Sequence, residues 1–298
     1  MTFRANEYER YTGERSPYPA WFPLAELTIS RGWKSKWVRR ITFMSLSLGL
    51  GLMVLMYVLN QVVPTWRELT EQIGTLAGQE EDAFIIDAKV YLNLLSLFVY
   101  PVLLPLSLLF GYDLISKDIE TNAMDSYFSR PISPMNYILG RSLAFIGFLL
   151  AATFGPMLLV WIADWATSND DHFQLIAHVP LAIFASLLLI STALALLVQA
   201  VTTLTQNSTW TNFVFIFIFI ILPIFSKMLY RMSDEPNMQA LSVIHNTWVI
   251  CATSVDKLPK WGRMEPADPA ISIGAMIFII IFSLIIIYRG LKKRTFIG

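Results

Sequence analysis

Few side chains in this sequence are suited to chemistry. There are three histidines, His172, His178 and His245, and one cysteine, Cys251. A single cysteine excludes an intramolecular disulfide and any cysteine-based metal cage. Asp170, Asp171, His172 and His178 crowd one short stretch. Their spacing matches no defined ligand pattern, so no metal is expected. His245 shares the apolar stretch Ala240–Ser254 with Trp248, and no motif around it assigns it a role. Glu68, Glu71, Glu80, Glu81, Asp82 and Asp87, set against Arg67 and Lys89, read as a solvated acidic face. The sequence holds no Gly-x-x-x-x-Gly-Lys-Ser/Thr phosphate loop, no Gly-x-Ser-x-Gly elbow, no His-Glu-x-x-His and no Cys-x-x-Cys. The expectation is a chain with no catalytic residues and no cofactor, which does not itself hydrolyse ATP.

What surrounds these residues is mostly apolar. Of 298 residues, 55% are hydrophobic and 15% charged, and the mean hydropathy is +0.55. A soluble domain carries about 25% charged residues. The formal net charge is zero, without the basic excess that nucleic-acid binding needs. The apolar residues gather into charge-free runs. A helix crosses ~30 Å of hydrocarbon with about 20 residues. Spans are expected at about 41–61, 90–112, 137–163, 179–201, 210–231 and 270–288. Val179–Ser226 is 48 residues without a charge, too long for one helix; its polar middle, Thr202–Thr209, reads as a tight turn between two spans. These are continuous runs and not the short alternating segments of a β-barrel. The expected fold is all-α, a polytopic membrane protein of six transmembrane helices.

None of these runs holds an ionisable residue in its apolar interior. Proton- and sodium-driven carriers usually place such a group at mid-membrane, so a bundle of this kind is passive or is driven by a partner. Pro101 and Pro105 fall within the second run, where they either kink it beside a substrate path or simply pack against neighbours.

Orientation follows from Lys and Arg, which favour the cytoplasmic side. The first 40 residues hold Arg4, Arg10, Arg15, Arg31, Lys34, Lys36, Arg39 and Arg40, and the tail 289–298 holds Arg289, Lys292, Lys293 and Arg294. Six spans with both termini in the cytoplasm place 15 basic and 8 acidic residues inside, against 7 and 14 outside. The zero net charge is thus the sum of two opposed faces. The first 20 residues lack an apolar h-region, so no signal peptide is expected. Residues 1–40 form a cytoplasmic arm whose second half is patterned. Phe22, Ala25, Ile29, Trp33 and Trp37 recur at spacings of three and four, which places them on one helical face. Arg31, Lys34 and Lys36 lie away from it. Such a helix lies in the membrane interface, contacting lipid through Trp21, Phe22, Trp33 and Trp37, or else packs on a soluble partner.

The loop between the second and third spans is the most distinctive stretch. Its first half, Leu114–Ser129, can form a short helix carrying Asp118, Glu120 and Asp125, and Arg130-Pro131 ends it. Ser133 is a plausible N-cap of the next helix, with Pro134 at its first position. Ser129-Arg130-Pro131-Ile132-Ser133 and then Tyr137-Ile138-Leu139-Gly140-Arg141 resemble the corresponding stretch of ABC-2-type transporter permeases. In those proteins an acidic, Gly-Thr-Leu-Glu-like segment leads to Leu-Leu-Ser-Arg-Pro-Ile-Ser and then to Tyr-x-Leu-Gly-Lys. Asn122-Ala123-Met124 departs from the usual Gly-Thr-Leu. The likeness is greatest to six-span permeases related to those of copper nitrous-oxide-reductase maturation and of gliding motility.

The resemblance implies a membrane subunit in the cell membrane, working as a homodimer or with a related permease. Each copy would dock a separate ATP-binding cassette ATPase through a cytoplasmic coupling helix near 114–129. Asp118, Glu120, Asp125 and Arg130 are the expected docking residues, as exposed charges that set register and on-rate, with Pro131 and Ser133 beside them. Export or mechanical work on a periplasmic or extracellular partner would follow. The rival class is an anchor or assembly subunit of a larger complex, without transport of its own.

Overall fold

The computed structural model describes residues 19–63, 65–66, 85–111, 114–115, 118, 121, 123, 132–167, 177–206, 208–255 and 265–295. Among them there is no strand. In hydrocarbon every backbone N–H and C=O must find a partner within the protein, and continuous apolar runs meet that demand as helices. Six helices are long and apolar enough to cross a membrane: Lys36–Val62, Val90–Gly111, Pro134–Thr167, Val179–Thr205, Trp210–Ser233 and Pro269–Lys292. The chain is an all-α, multi-pass membrane protein.

Helix α1 covers Phe22–Lys34 and α2 covers Lys36–Val62. Helix α3 runs Ile85–Phe98, passes through a π-helical turn at Val99–Leu103 and continues over Leu104–Gly111. Helix α4 is Pro134–Thr167 and α5 is Val179–Thr205. Helix α6 runs Ser208–Ile216, has its own π turn at Phe217–Ile221 and ends as Leu222–Ser233. A 3-10 turn at Pro236–Leu241 leads to the short α7, Val243–Thr253, and α8 is Pro269–Thr295. Helices α3, α4 and α5 form the centre, with Leu95, Phe98, Leu106, Phe145, Leu149, Leu187 and Leu194 fully enclosed. Helix α6 is the least covered: Trp210, Phe213, Ile224 and Met232 are 60–74% exposed, an outward surface that suits lipid.

Ser35 sets the first corner. Its backbone is extended (φ −68°, ψ 125°), and its hydroxyl accepts from the Val38 N–H, starting α2. The aromatic stripe read from the sequence is therefore divided: Phe22, Ile29 and Trp33 belong to α1, whereas Trp37 belongs to α2. The face of α1 turned to the bundle carries Leu24 and Thr28. Phe22, Ile29 and Trp33 stay 40–45% exposed and Trp37 61%, while Trp21 is half-buried. Two glycines permit the close seat of α1. A Cβ on Gly140 of α4 would lie 2.5 Å from the Trp21 carbonyl oxygen, and one on Gly32 would overlap the Phe110 ring. Phe110 stacks between Phe145 and Phe148, at 4.9 and 4.8 Å.

Helices α2 and α4 cross where a proline interrupts α4. Pro156 has no N–H, so the Ala152 carbonyl loses its helical donor. The Ser45 hydroxyl of α2 donates to that carbonyl at 2.6 Å. One turn along, Gly49 brings the α2 backbone against Pro156, where a Cβ would lie 2.5 Å from the proline Cβ. Ser45→Ala is expected to cost about 1–3 kcal/mol, because it strands a buried carbonyl. Gly49→Ala is expected to cost about 1–3 kcal/mol through overpacking. Unfolding midpoints of the variants in one detergent measure both, and an unchanged midpoint for Ser45→Ala would remove the hydroxyl from this role.

Candidate functional site

Asp118 lies in the loop joining α3 to α4, and its side chain is fully enclosed. A carboxylate removed from water needs donors, and two helices supply them. From α4, the Tyr137 hydroxyl donates to Oδ2 at 2.8 Å, and Arg141 Nη2 makes a close ion pair with the same oxygen. Tyr137 and Arg141 are four residues apart, so they share a helical face. From α1, Arg31 Nη1 donates to Oδ1 at 2.5 Å. Arg141 Nη1 also donates to Thr28 Oγ1 at 3.0 Å, and the Thr28 hydroxyl donates to the Leu24 carbonyl at 2.7 Å. Thr28 and Arg31 are three apart and again share a face. The Arg141 guanidinium stands 5.5 Å from the centre of the Tyr137 ring. One loop residue thereby fastens the N-terminal helix to the start of the third span.

The expectation for Asp118 was an exposed docking charge, and the structure corrects it. With two arginines and a tyrosine on its oxygens, Asp118 is an internal joint and offers no surface to a partner. Ser133 does cap α4, its hydroxyl accepting from the Asn136 N–H at 3.1 Å, with Pro134 next to it. Glu120, Asp125, Arg130 and Pro131 lie outside the described residues. Tyr137 and Arg141 stood in the sequence only as part of the permease-like motif, with no partner assigned, and Arg31 read as the wet side of an amphipathic helix. The usable signal was the spacing of Tyr137 and Arg141 beside Gly140.

A second buried carboxylate sits near the other end of α4. Asp164 accepts from the Tyr91 hydroxyl at 2.8 Å and from Asn60 Nδ2 at 2.9 Å. Asn60 Nδ2 also reaches Thr167 Oγ1 at 2.8 Å, and Trp66 Nε1 donates to Asn60 Oδ1 at 3.0 Å. Helices α2, α3 and α4 are thus tied there. Arg141 and Asp164 are about 35 Å apart along α4, whose 34 residues make it about 51 Å long. Both charges flank the charge-free stretch 142–163, and both are enclosed by protein.

Between α3 and α6 lies an open groove of about 660 Å³, walled by Leu108, Leu109, Phe215, Ile216, Phe219 and Ile220 with Asn212 beside them. The π turn of α6 supplies Phe219 and Ile220 to it, whereas the π turn of α3 ends at Leu103, before the lining begins at Leu108. Each is followed two residues later by a proline, Pro105 and Pro223, and then by a serine bonded to a nearby carbonyl: Ser107 to Leu104 at 2.7 Å and Ser226 to Pro223 at 2.9 Å.

The histidine stretch is a folded cap. Four backbone groups of residues 265–268 are taken by side chains: Tyr230 accepts from Glu265, Gln239 donates to the Glu265 carbonyl, His245 Nε2 accepts from Ala267, and Asn237 accepts from Asp268. His245 accepts only when Nε2 carries no proton. Burial, and next the Lys227 charge, lower its pKa to about 4. Burial also pushes the Cys251 thiol up to about 12, which makes it unreactive. His178 is exposed at the start of α5, and Asp170, Asp171 and His172 lie outside the described residues. No group of three or more His, Cys, Asp or Glu side chains placed to hold a metal occurs among the described residues. No protein-family model matches the chain, and no curated protein matches its sequence.

Two outcomes are expected. Asp118→Asn leaves Arg141 buried without its counter-charge and costs about 3–5 kcal/mol. Arg31→Gln removes a partner that is 39% exposed and costs about 1 kcal/mol. Equal losses in a thermal unfolding series would contradict this division. In the cap, the neutral histidine's contribution is complete above its unfolded pKa near 6.5. It fades as pH falls toward 4, because the unfolded chain binds the proton first. Hydrogen exchange at the Ala267 amide should therefore accelerate over pH 6.5–4 in the wild type relative to His245→Gln, which keeps an acceptor that does not titrate.

Proposed function

We propose that the chain is the membrane subunit of an ABC-2-type transporter, in which a separate ATP-binding subunit hydrolyses ATP and drives the six-helix bundle. The observation that carries this reading is the Asp118 joint. It ties the loop holding the Ser129–Ser133 motif to α1 and α4 at once, so force applied to that loop reaches the bundle through two helices. The six apolar helices supply a membrane-integral body, and the lack of a phosphate loop in this sequence supports ATP hydrolysis by a separate subunit. In this reading both termini and the loop face the cytoplasm, in line with the Lys and Arg distribution. A second permease copy, identical or related, completes the pair. Residues 119–131 form the docking surface, and Asp118 passes displacement on rather than making contact. The ATPase need only favour one bundle conformation over another by a few kcal/mol.

The test is co-expression with a candidate ATP-binding cassette subunit from the same genome, followed by pull-down and ATPase assay in lipid. Scrambling residues 119–131 is expected to abolish copurification. Asp118→Asn, in folded material, is expected to retain the ATPase while losing most of the permease-dependent change in hydrolysis. Copurification that survives the scramble would overturn the docking assignment. ATPase activity indifferent to the wild-type chain would favour the anchor or assembly subunit instead.

A further inference from the structure

The inner end of α8 carries a feature that the transport reading does not use. Where it passes α4 there is a groove of about 400 Å³, formed by Met135 and Ile138 of α4 and by Leu284, Ile285, Tyr288 and Arg289 of α8. That volume lies at the low end of ligand sites, roughly 300–1,000 Å³. Its walls are apolar except at one end, where Tyr288 and Arg289 stand, both exposed. Among the described residues, Arg289 has no hydrogen-bond or ion-pair partner and no acidic residue lines the groove. Lys292, Lys293 and Arg294 follow within five residues, and no acidic residue occurs from 269 to 298.

We propose that this groove binds a single anionic phospholipid, with an acyl chain against Met135, Ile138, Leu284 and Ile285 and the headgroup phosphate on Arg289. An apolar trough on the lipid-facing side of two spans takes a hydrocarbon chain without loss of hydrogen bonds. An exposed guanidinium at its mouth matches a phosphate in geometry and charge. One arginine alone serves any phospholipid. Four cations at the end of one span, in a stretch of sequence without acidic residues, select a headgroup with net negative charge. The occupant comes from the leaflet on the basic side of the protein, and not from free phosphate, because the walls leading to Arg289 are hydrocarbon-like. The site depends on membrane insertion alone and stands or falls independently of any ATPase.

The full chain is reconstituted in nanodiscs containing equal dioleoyl phosphatidylglycerol and dioleoyl phosphatidylcholine, and the phospholipid retained is counted by native mass spectrometry. Wild-type protein is expected to retain phosphatidylglycerol in preference. Arg289→Gln is expected to lower the ratio about fivefold, the effect of one cation at an anionic surface, while Arg289→Lys keeps most of it. Ile285→Trp, which fills an exposed part of the trough, is expected to lower retention of both lipids. Should Arg289→Gln fail to fold, Arg289→Lys and Ile285→Trp decide the matter. Equal retention of the two lipids by wild type, a ratio indifferent to Arg289→Gln, or retention indifferent to Ile285→Trp would each overturn the proposal. So would displacement of the lipid by excess soluble glycerophosphoglycerol.

Discussion

A carboxylate that water does not reach must be held by donors, and Asp118 takes its donors from two helices far apart in sequence. That requirement organises this end of the bundle. It places Asp118 between Arg31 and Arg141. It fixes the rotation of α1, because Thr28 and Arg31 must face α4. It also fixes how closely α1 lies, which explains why Gly140 stands one residue before Arg141: a side chain there would strike the Trp21 carbonyl. Charge pairing and close packing are two aspects of one contact.

The rotation imposed on α1 settles which of its faces remains outside. Leu24, Thr28 and Arg31 turn inward, so Phe22, Ile29 and Trp33 turn away from the bundle. A soluble protein would bury its aromatic stripe and leave the arginine wet. Here the arrangement is inverted: the aromatic face is outermost, and the arginine meets Asp118. Arg31 remains partly exposed while its tip meets Asp118, so its apolar stem and charged head lie in different surroundings.

The fold was largely legible in the sequence, because a bilayer demands long apolar helices and the chain has six of them. The turn near Gln206 was legible too: its left-handed backbone (φ 51°) ends α5 within the polar run at 202–209. The Ser133 cap was legible because capping is local. The joint itself was not. Asp118 and Arg31 are 87 residues apart, and nothing in either local pattern separates a buried charge from a wet one. The break at Ser35 was hidden for another reason. The three- and four-residue spacing runs straight through it to Trp37, and periodicity does not register a single extended residue. The cap on α7 was half legible: the apolar stretch was visible, but residues 265–268, whose backbone groups it satisfies, follow it by more than ten positions.

Polar contacts cluster at the two ends of α4, and the middle of the bundle is governed by packing and by broken helical hydrogen bonding. Asp118 with Arg141 closes one end, and Asp164 with Asn60 and Tyr91 closes the other. Such contacts resist displacement, since parting them exposes buried charge. Between them, α4 has one interruption, at Pro156, where Ser45 of α2 stands in for the missing donor. Helices α3 and α6 are interrupted more deeply, each by a π turn followed by a proline. π turns and prolines are where helices bend. The polar joints therefore hold α4 at both ends, and the interruptions of the bundle lie between those joints and on α3 and α6.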